Sequence, residues 1–244
     1  MSHPEMNGAG ETPATPRAAT EPADQERPLP SSDERTERAN RATDVLQHAR
    51  QLATGGEMTA ALTTLRALVA REPKNARARQ LVAQLLAQKG DVESAIAELT
   101  RALELQPDDV QNLCTRAAQY IERAKYDQAE SDLKRAAKLD DRNPDVQVQL
   151  GVLFCKRARW REAIDPLRAA IAADPQCAAA HYYLGDAYNS IDELQAALDA
   201  YQAAARLEPA NDRPLKRIGV VLDRLGRPAE AAAAYQRARA AQRR

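Results

Sequence analysis

The most constraining feature of this sequence is a repeat of 34 residues. Pro73, Pro107, Pro175 and Pro209 each follow a run that is typical of a helix end, and their spacing is 34 residues or twice that. The missing member of the series falls on Asp141, which follows a run of the same kind. A period of this length is typical of solenoids, in which each unit packs only on its neighbours.

Small and large residues recur at fixed places within this period. We number the places from the first residue of each unit, with units at 42-75, 76-109, 110-143, 144-177, 178-211 and 212-244. Place eight is always small: Ala49, Ala83, Ala117, Gly151, Gly185 and Gly219. Place twenty is always alanine: Ala61, Ala95, Ala129, Ala163, Ala197 and Ala231. Place twenty-four is always large: Leu65, Leu99, Leu133, Leu167, Tyr201 and Tyr235. Because small residues let two helices approach closely, each unit is predicted to be an antiparallel helix pair, a first helix A and a second helix B.

This pattern resembles the tetratricopeptide repeat (TPR) family. The resemblance implies an all-α fold, a right-handed α-solenoid of six TPR helix-turn-helix units over residues 39-244, whose A helices line a concave groove. The low content of aromatic residues, 4%, and only nine glycines agree with a helical chain. At place seven only Leu150, Leu184 and Ile218 suit the family pattern well. Pro166 falls within the fourth B helix, predicted from Trp160 to Ala173, and is expected to kink it; a hinge used in function is the alternative.

Residues 1-38 differ in character from the rest of the chain. They contain six of the fourteen prolines, no Ile, Val, Phe, Tyr or Trp, and eight acidic residues against four arginines. Such a segment buries too little apolar surface to offset chain entropy, so a disordered acidic Pro-rich tail is predicted. Ser31 and Glu34 have capping-box spacing, which indicates a helix start near Asp33. The acidic tail is either a solubilising segment or an occupant of the groove that a partner displaces.

The groove-lining stripe of each A helix follows from helical spacing. The core takes places four, seven, eight and eleven, which leaves places two, five, nine and twelve for the groove. This stripe is polar in the first two units, apolar in units three and four, and basic in unit six. The candidate partner-binding residues come from this stripe, with the neighbouring Tyr183 and Arg217 added: Gln80, Gln84, Cys114, Ala118, Ile121, Val148, Val152, Cys155, Tyr182, Tyr183, Asn189, Arg213, Lys216 and Arg217.

An apolar centre between polar ends predicts a non-enzymatic interaction scaffold or adaptor. Its partner would be another protein, a peptide or amphipathic helix whose apolar face lies on Ile121, Val148 and Val152 and whose acidic flank lies near Arg213 and Lys216. Two alternatives stay open: a cytosolic chaperone for a secretion or membrane-assembly subunit, and a self-assembling scaffold, a homo-oligomer that stacks through its terminal helices. The apolar centre could also simply pack against neighbouring A helices.

The residues offer little for catalysis. No nucleophile, base and orienting group are spaced as an active site requires, and we expect no enzyme, no cofactor and no metal. His48 and His181 occupy core-type places and are expected to be at least half-buried, and the three cysteines lack metal-like spacing. The equal numbers of basic and acidic residues, 35 each, argue against nucleic acid as a partner. We expect no direct membrane insertion and a cytoplasmic location.

Overall fold

In a computed structural model of the chain, the described residues are 32–243, with the side chains of 32–35, 38 and 39 left aside. Over this range the chain forms twelve α-helices and no strand: α1 (Ser32–Thr54), α2 (Met58–Arg71), α3 (Ala76–Gln88), α4 (Val92–Leu105), α5 (Val110–Glu122), α6 (Tyr126–Leu139), α7 (Pro144–Lys156), α8 (Trp160–Ala173), α9 (Ala178–Ser190), α10 (Leu194–Leu207), α11 (Asp212–Arg224) and α12 (Pro228–Gln242). Residues 41–244 form one compact unit. The disordered tail predicted for residues 1-38 is wrong for 32–38, which belong to α1, and α1 begins close to the helix start predicted near Asp33. Residues 1–31, including Ser31, lie outside the described residues.

The helices repeat with the period of the sequence. From α3 onward the A helices begin 34 residues apart, and the B helices do so from α2 onward. Each helix packs on the next one along the chain from α2 to α12. The all-α prediction and the antiparallel helix pairs are therefore confirmed. Pro166 lies inside α8, and α8 has the predicted bounds. The kink that Pro166 is expected to cause stays a prediction.

The residue before the helix caps four of the six A helices. Asn75, Asp109, Asn143 and Asn211 stand 34 or 68 residues apart, and the side chain of each accepts a hydrogen bond from a backbone N–H in the first turn. Such caps satisfy donors that the helix itself leaves without partners. Cys177 holds the same position before α9 and makes no side-chain capping bond.

The turn between helices A and B requires a left-handed residue in every unit. Positive φ values recur at 56, 90, 124, 158, 192 and 226, again 34 residues apart. Glycine adopts this conformation in three turns. Ala124 (φ 55°) and Ala158 (φ 56°) adopt it with steric strain, because their Cβ atoms come close to the following carbonyl oxygen. The repeat therefore dictates the turn conformation even where the local residue disfavours it.

The small places allow the close helix approach that the sequence predicts. A Cβ atom placed on Gly151, Gly185 or Gly219 would come within 3 Å of the residue sixteen positions later, which lies on helix B of the same unit. The alanines of place twenty are buried in all six units, with exposures of at most 1%. Three clusters of buried side chains result, one in α1 to α4, one centred on α5 to α9 and one in α9 to α12.

An ion pair between a half-buried arginine and a buried aspartate explains the departure at place seven of the third unit. Arg116 of α5 donates to both carboxylate oxygens of Asp132 on α6, each at 2.8 Å, and to Thr100 Oγ1 on α4 at 3.0 Å. Asp132 is one of only two buried polar residues among those described. The guanidinium thus fills the space between two B helices where other units place an aliphatic side chain.

Candidate protein-binding surface

The centre of the predicted groove is closed by packing. We call the stripe at places two, five, nine and twelve of the A helices the groove face. In units three to five, six of its apolar members are at most 9% exposed: Cys114, Ile121, Val148, Val152, Cys155 and Tyr182. Ala118 and Tyr183 are half-buried. Little of these side chains is accessible to a ligand, and their predicted partner-binding role stays a prediction.

The closure arises because α5, α7 and α9 lie side by side. These three A helices contact one another directly, in addition to the B helices between them. Cys155 Sγ on α7 lies 3.6 Å from the carbonyl oxygen of Tyr183 on α9. Burial raises the pKa of the Cys114 and Cys155 thiols to about 12, so both are protonated and unreactive at neutral pH.

Tyr182 organises the face between α9 and α11. Its ring lies 5.3 Å from the ring of Tyr183 and 5.8 Å from that of Tyr201, measured between centroids. The guanidinium of Arg213 stacks over the Tyr182 ring at 4.9 Å. Arg217 Nε approaches Tyr182 Oη and Asp186 Oδ1, both at 3.3 Å. The side chains of Arg213 and Arg217, two of the three predicted basic groove residues, are therefore already engaged in contacts within the protein.

Carboxylates neutralise much of the charge at that end. Lys216 pairs with Asp212 one turn earlier in α11, and Arg217 pairs with Asp186. The predicted groove residue Asn189 accepts hydrogen bonds from Arg224, through its backbone oxygen at 2.9 Å and through its side chain. Within the described part of the chain, Arg213 is the one predicted basic groove residue with no carboxylate partner. Val220 stands beside them on α11 and is 39% exposed.

A pocket opens on the groove face at the other end, between α1 and α3. Its volume is about 410 Å³. Apolar side chains from α1, α2 and α3 form most of its wall, and longer polar side chains stand among them; its lining residues are Ala49, Arg50, Ala53, Thr54, Leu65, Leu81, Gln84, Leu85 and Gln88. Of the predicted site residues, Gln84 lines this pocket, and Gln80 lies half-buried one turn earlier on α3. The predicted residues at the centre thus pack together in the core, and the accessible ones lie at the two ends of the groove face.

Sequence reasoning missed this pocket, although one signal was present. Place twelve is Ala53 in the first unit, where the third and fourth units carry Ile121 and Cys155. Both of those side chains are buried, whereas the smaller Ala53 stays part-exposed and leaves space beside it. A small residue at a place where other units carry a larger side chain indicates an unfilled space. This indication can be used only when the separation of the A helices is known.

The described residues show no arrangement suited to metal binding or to a membrane span. Between 32 and 243, no group of three or more His, Cys, Asp or Glu side chains is placed to hold a metal ion. No helix in the same range is long and apolar enough to cross a bilayer. His181 is half-buried, with Nε2 3.2 Å from the Pro175 carbonyl oxygen. The expectation of burial was wrong for His48, which is exposed: it lies in the first unit, and no B helix precedes that unit within the described residues.

Comparison with known proteins agrees with this architecture. A family profile described as tetratricopeptide repeat matches residues 46–110, 148–214 and 193–244. A search of curated proteins finds no significant match. No catalytic family is indicated by these comparisons.

Solved structures of similar fold include several repeat proteins. A crystal structure of MamA is 26% identical with a TM-score of 0.57, over 66% of this chain and 95% of that one. YrrB, described as a TPR protein with an unusual peptide-binding site, is 20% identical with a TM-score of 0.54, over 73% and 92%. Cut9 in the APC/C hetero-tetramer Cut9-Hcn1 is 20% identical with a TM-score of 0.78, over 82% of this chain but 40% of that one. With the profile covering more than half of its residues, the chain belongs to the tetratricopeptide repeat family.

Proposed function

We propose that this protein is a non-enzymatic interaction scaffold that holds a segment of a partner protein along its groove face. The observation that carries the proposal is the pair of accessible features at the two ends of that face. One is the pocket between α1 and α3, and the other is the exposed surface of α11 around Arg213 and Val220. The similarity to YrrB supports the proposal, since YrrB shares the fold and has a peptide-binding site.

The partner is proposed to be an extended peptide or an amphipathic helix that contacts both ends. The buried centre changes how such a segment would bind. It would cross α5, α7 and α9 over a surface of partly covered side chains and anchor at the ends, rather than insert an apolar stripe between Val148 and Val152. The cytoplasmic location stays a prediction, as do the chaperone role and the self-assembling scaffold.

The test uses charge placed on exposed positions, because charge at Val148 or Val152 would disrupt the core instead of the surface. The full chain serves as bait in lysate of its source cells, as wild type and as Val220→Glu. The matched control is Leu139→Glu, since Leu139 is 44% exposed at the end of a B helix and lies off the groove face. Circular dichroism of each bait verifies that it is folded.

We expect a protein that the wild type and Leu139→Glu capture and that Val220→Glu loses. Equal capture by all three baits, or loss with Leu139→Glu alone, would show that binding does not use the groove face. A stable one-to-one complex with a single client would favour the chaperone alternative. A solution mass above that of the monomer, dependent on concentration, would favour self-assembly.

A further inference from the structure

The pocket between α1 and α3 has a floor built for an apolar side chain. Leu65, Leu81 and Leu85 line it and are themselves at most 7% exposed, so the floor is fixed by the core beneath it. Its volume of about 410 Å³ lies within the range of ordinary ligand pockets, roughly 300–1,000 Å³. A partner side chain that enters would contact preformed apolar walls, with little loss of conformational freedom by the protein.

The polar side chains that line the pocket have free hydrogen-bonding capacity. Arg50, Gln84 and Gln88 make no side-chain hydrogen bond or ion pair with any residue of the described range. Arg50 is the only charged residue that lines the pocket, and no carboxylate of the described chain neutralises it. The pocket therefore combines an apolar floor with one uncompensated positive charge and two amide groups.

At the opposite end of the groove face, on α11, the basic side chains already have partners within the protein. There Lys216 and Arg217 already have carboxylate partners on α11 and α9, and Arg213 is stacked on Tyr182. An incoming carboxylate would have to compete with these contacts at α11, whereas at Arg50 it would meet no competitor. Charge complementarity thus favours the α1–α3 end for an acidic group, which reverses the orientation that the sequence suggested.

We infer that the pocket between α1 and α3 binds an apolar side chain of a partner segment next to an acidic residue, whose carboxylate pairs with Arg50. This inference rests on the proposed function, because it specifies the partner chemistry at one end of the same face. The apolar side chain lies on Leu65, Leu81 and Leu85. The partner backbone meets Gln84 and Gln88, whose amides can both donate and accept.

The experiment titrates the full chain with a defined peptide, acetylated and amidated, of sequence Gly-Ser-Gly-Glu-Leu-Glu-Gly-Ser-Gly. Amide NMR spectra follow the binding, because they report weak affinities and locate the contact. Matched peptides replace both Glu by Gln or by Lys, or replace Leu by Ala. The protein variants are Arg50→Gln and Ala53→Ile, the second of which fills the pocket as Ile121 fills its own place two units later.

The control variants are Arg77→Gln and Arg213→Gln. Arg77 is exposed and without a charged partner in the described range, and it lies on the same face but does not line the pocket. Arg213 tests the far end. Thermal unfolding of every variant verifies that the fold is retained, which is expected because the variants change part-exposed or exposed side chains.

We expect the Glu-Leu-Glu peptide to shift amides of residues 49–54 and 81–88 and to bind about three- to tenfold more tightly than the Lys peptide. Arg50→Gln should remove the preference for Glu over Gln, and Ala53→Ile should weaken binding of every Leu peptide, with both controls unchanged. Absence of binding by the Glu-Leu-Glu peptide would overturn the inference, as would loss on Arg213→Gln with none on Arg50→Gln. Lysate capture that still depends on Val220 would then leave the proposed function standing.

Discussion

Substitution of Gly185 by alanine tests the close approach of helices within a unit. The added Cβ would lie 2.6 Å from Cδ1, 2.7 Å from Cε1 and 2.9 Å from Cγ of Tyr201, whereas carbon atoms normally pack at about 3.5–4.0 Å. The ring has little freedom to move away. Tyr201 is fully buried, and its hydroxyl donates to Asp186 Oδ1 at 2.6 Å.

The change in the free energy of unfolding on Gly185→Ala is the sum of opposing effects. Overpacking of this kind costs about 1–3 kcal/mol, and a shift of the ring also weakens a hydrogen bond to a charged acceptor worth about 1.5–3 kcal/mol. Alanine in a helix recovers about 1 kcal/mol relative to glycine. We therefore expect Gly185→Ala to lower the free energy of unfolding by about 1–3 kcal/mol.

Other units supply a compensating partner. The second and third units combine alanine at place eight with leucine at place twenty-four, Ala83 with Leu99 and Ala117 with Leu133, and all four are fully buried. Tyr201→Leu alone should also destabilise, by about 2–4 kcal/mol, because it leaves a cavity. The double variant recreates the alanine–leucine pair and should be more stable than the sum of the two single changes by at least about 1 kcal/mol.

Urea unfolding followed by circular dichroism measures these differences as a double-mutant cycle. Because repeat proteins do not always unfold in one step, the transitions must coincide with those seen by Trp160 fluorescence before free energies are compared. Gly55→Ala is the matched control, since the nearest atom to its added Cβ is 3.4 Å away. A Gly185→Ala variant as stable as the wild type, or a cycle that is additive within about 0.5 kcal/mol, would refute the argument.

Three further changes probe local features, and each is measured by chemical unfolding. Ala158→Gly should stabilise the protein by up to about 1 kcal/mol, because φ is 56° at this turn residue. Cys177→Asn should supply the missing cap of α9 and add about 0.5–2 kcal/mol. Asp132→Ala should cost about 1–3 kcal/mol by removing the carboxylate that pairs with the half-buried Arg116, and combination with Arg116→Leu should recover part of that loss. Of the three thiols, only that of Cys177 should react with a thiol reagent in the native state at pH 8, with all three reacting after unfolding.

The candidate site shows where sequence reasoning reaches its limit. Helical spacing assigns Val148 and Val152 to the groove, but the structure buries both, with at most 9% of each exposed. Their burial comes from neighbouring A helices that contact one another in the middle units. Likewise the spacing of Asp212 and Lys216 predicts their ion pair within α11, but the pairing of Arg217 with Asp186 on α9 is not visible in the sequence.

The sequence by itself determined the helices, their pairing and the number of units. These depend on local spacing: a 34-residue period, small residues where helices touch, and capping residues before four of the A helices, all of which act within one unit or between adjacent ones. Only the tertiary structure decided which part of the groove face is open. That depends on the separation of neighbouring A helices, which is set by packing summed over many side chains and leaves no periodic signal. Because of this difference in helix separation, Ala53 lines a pocket, whereas Val152 is buried in the core.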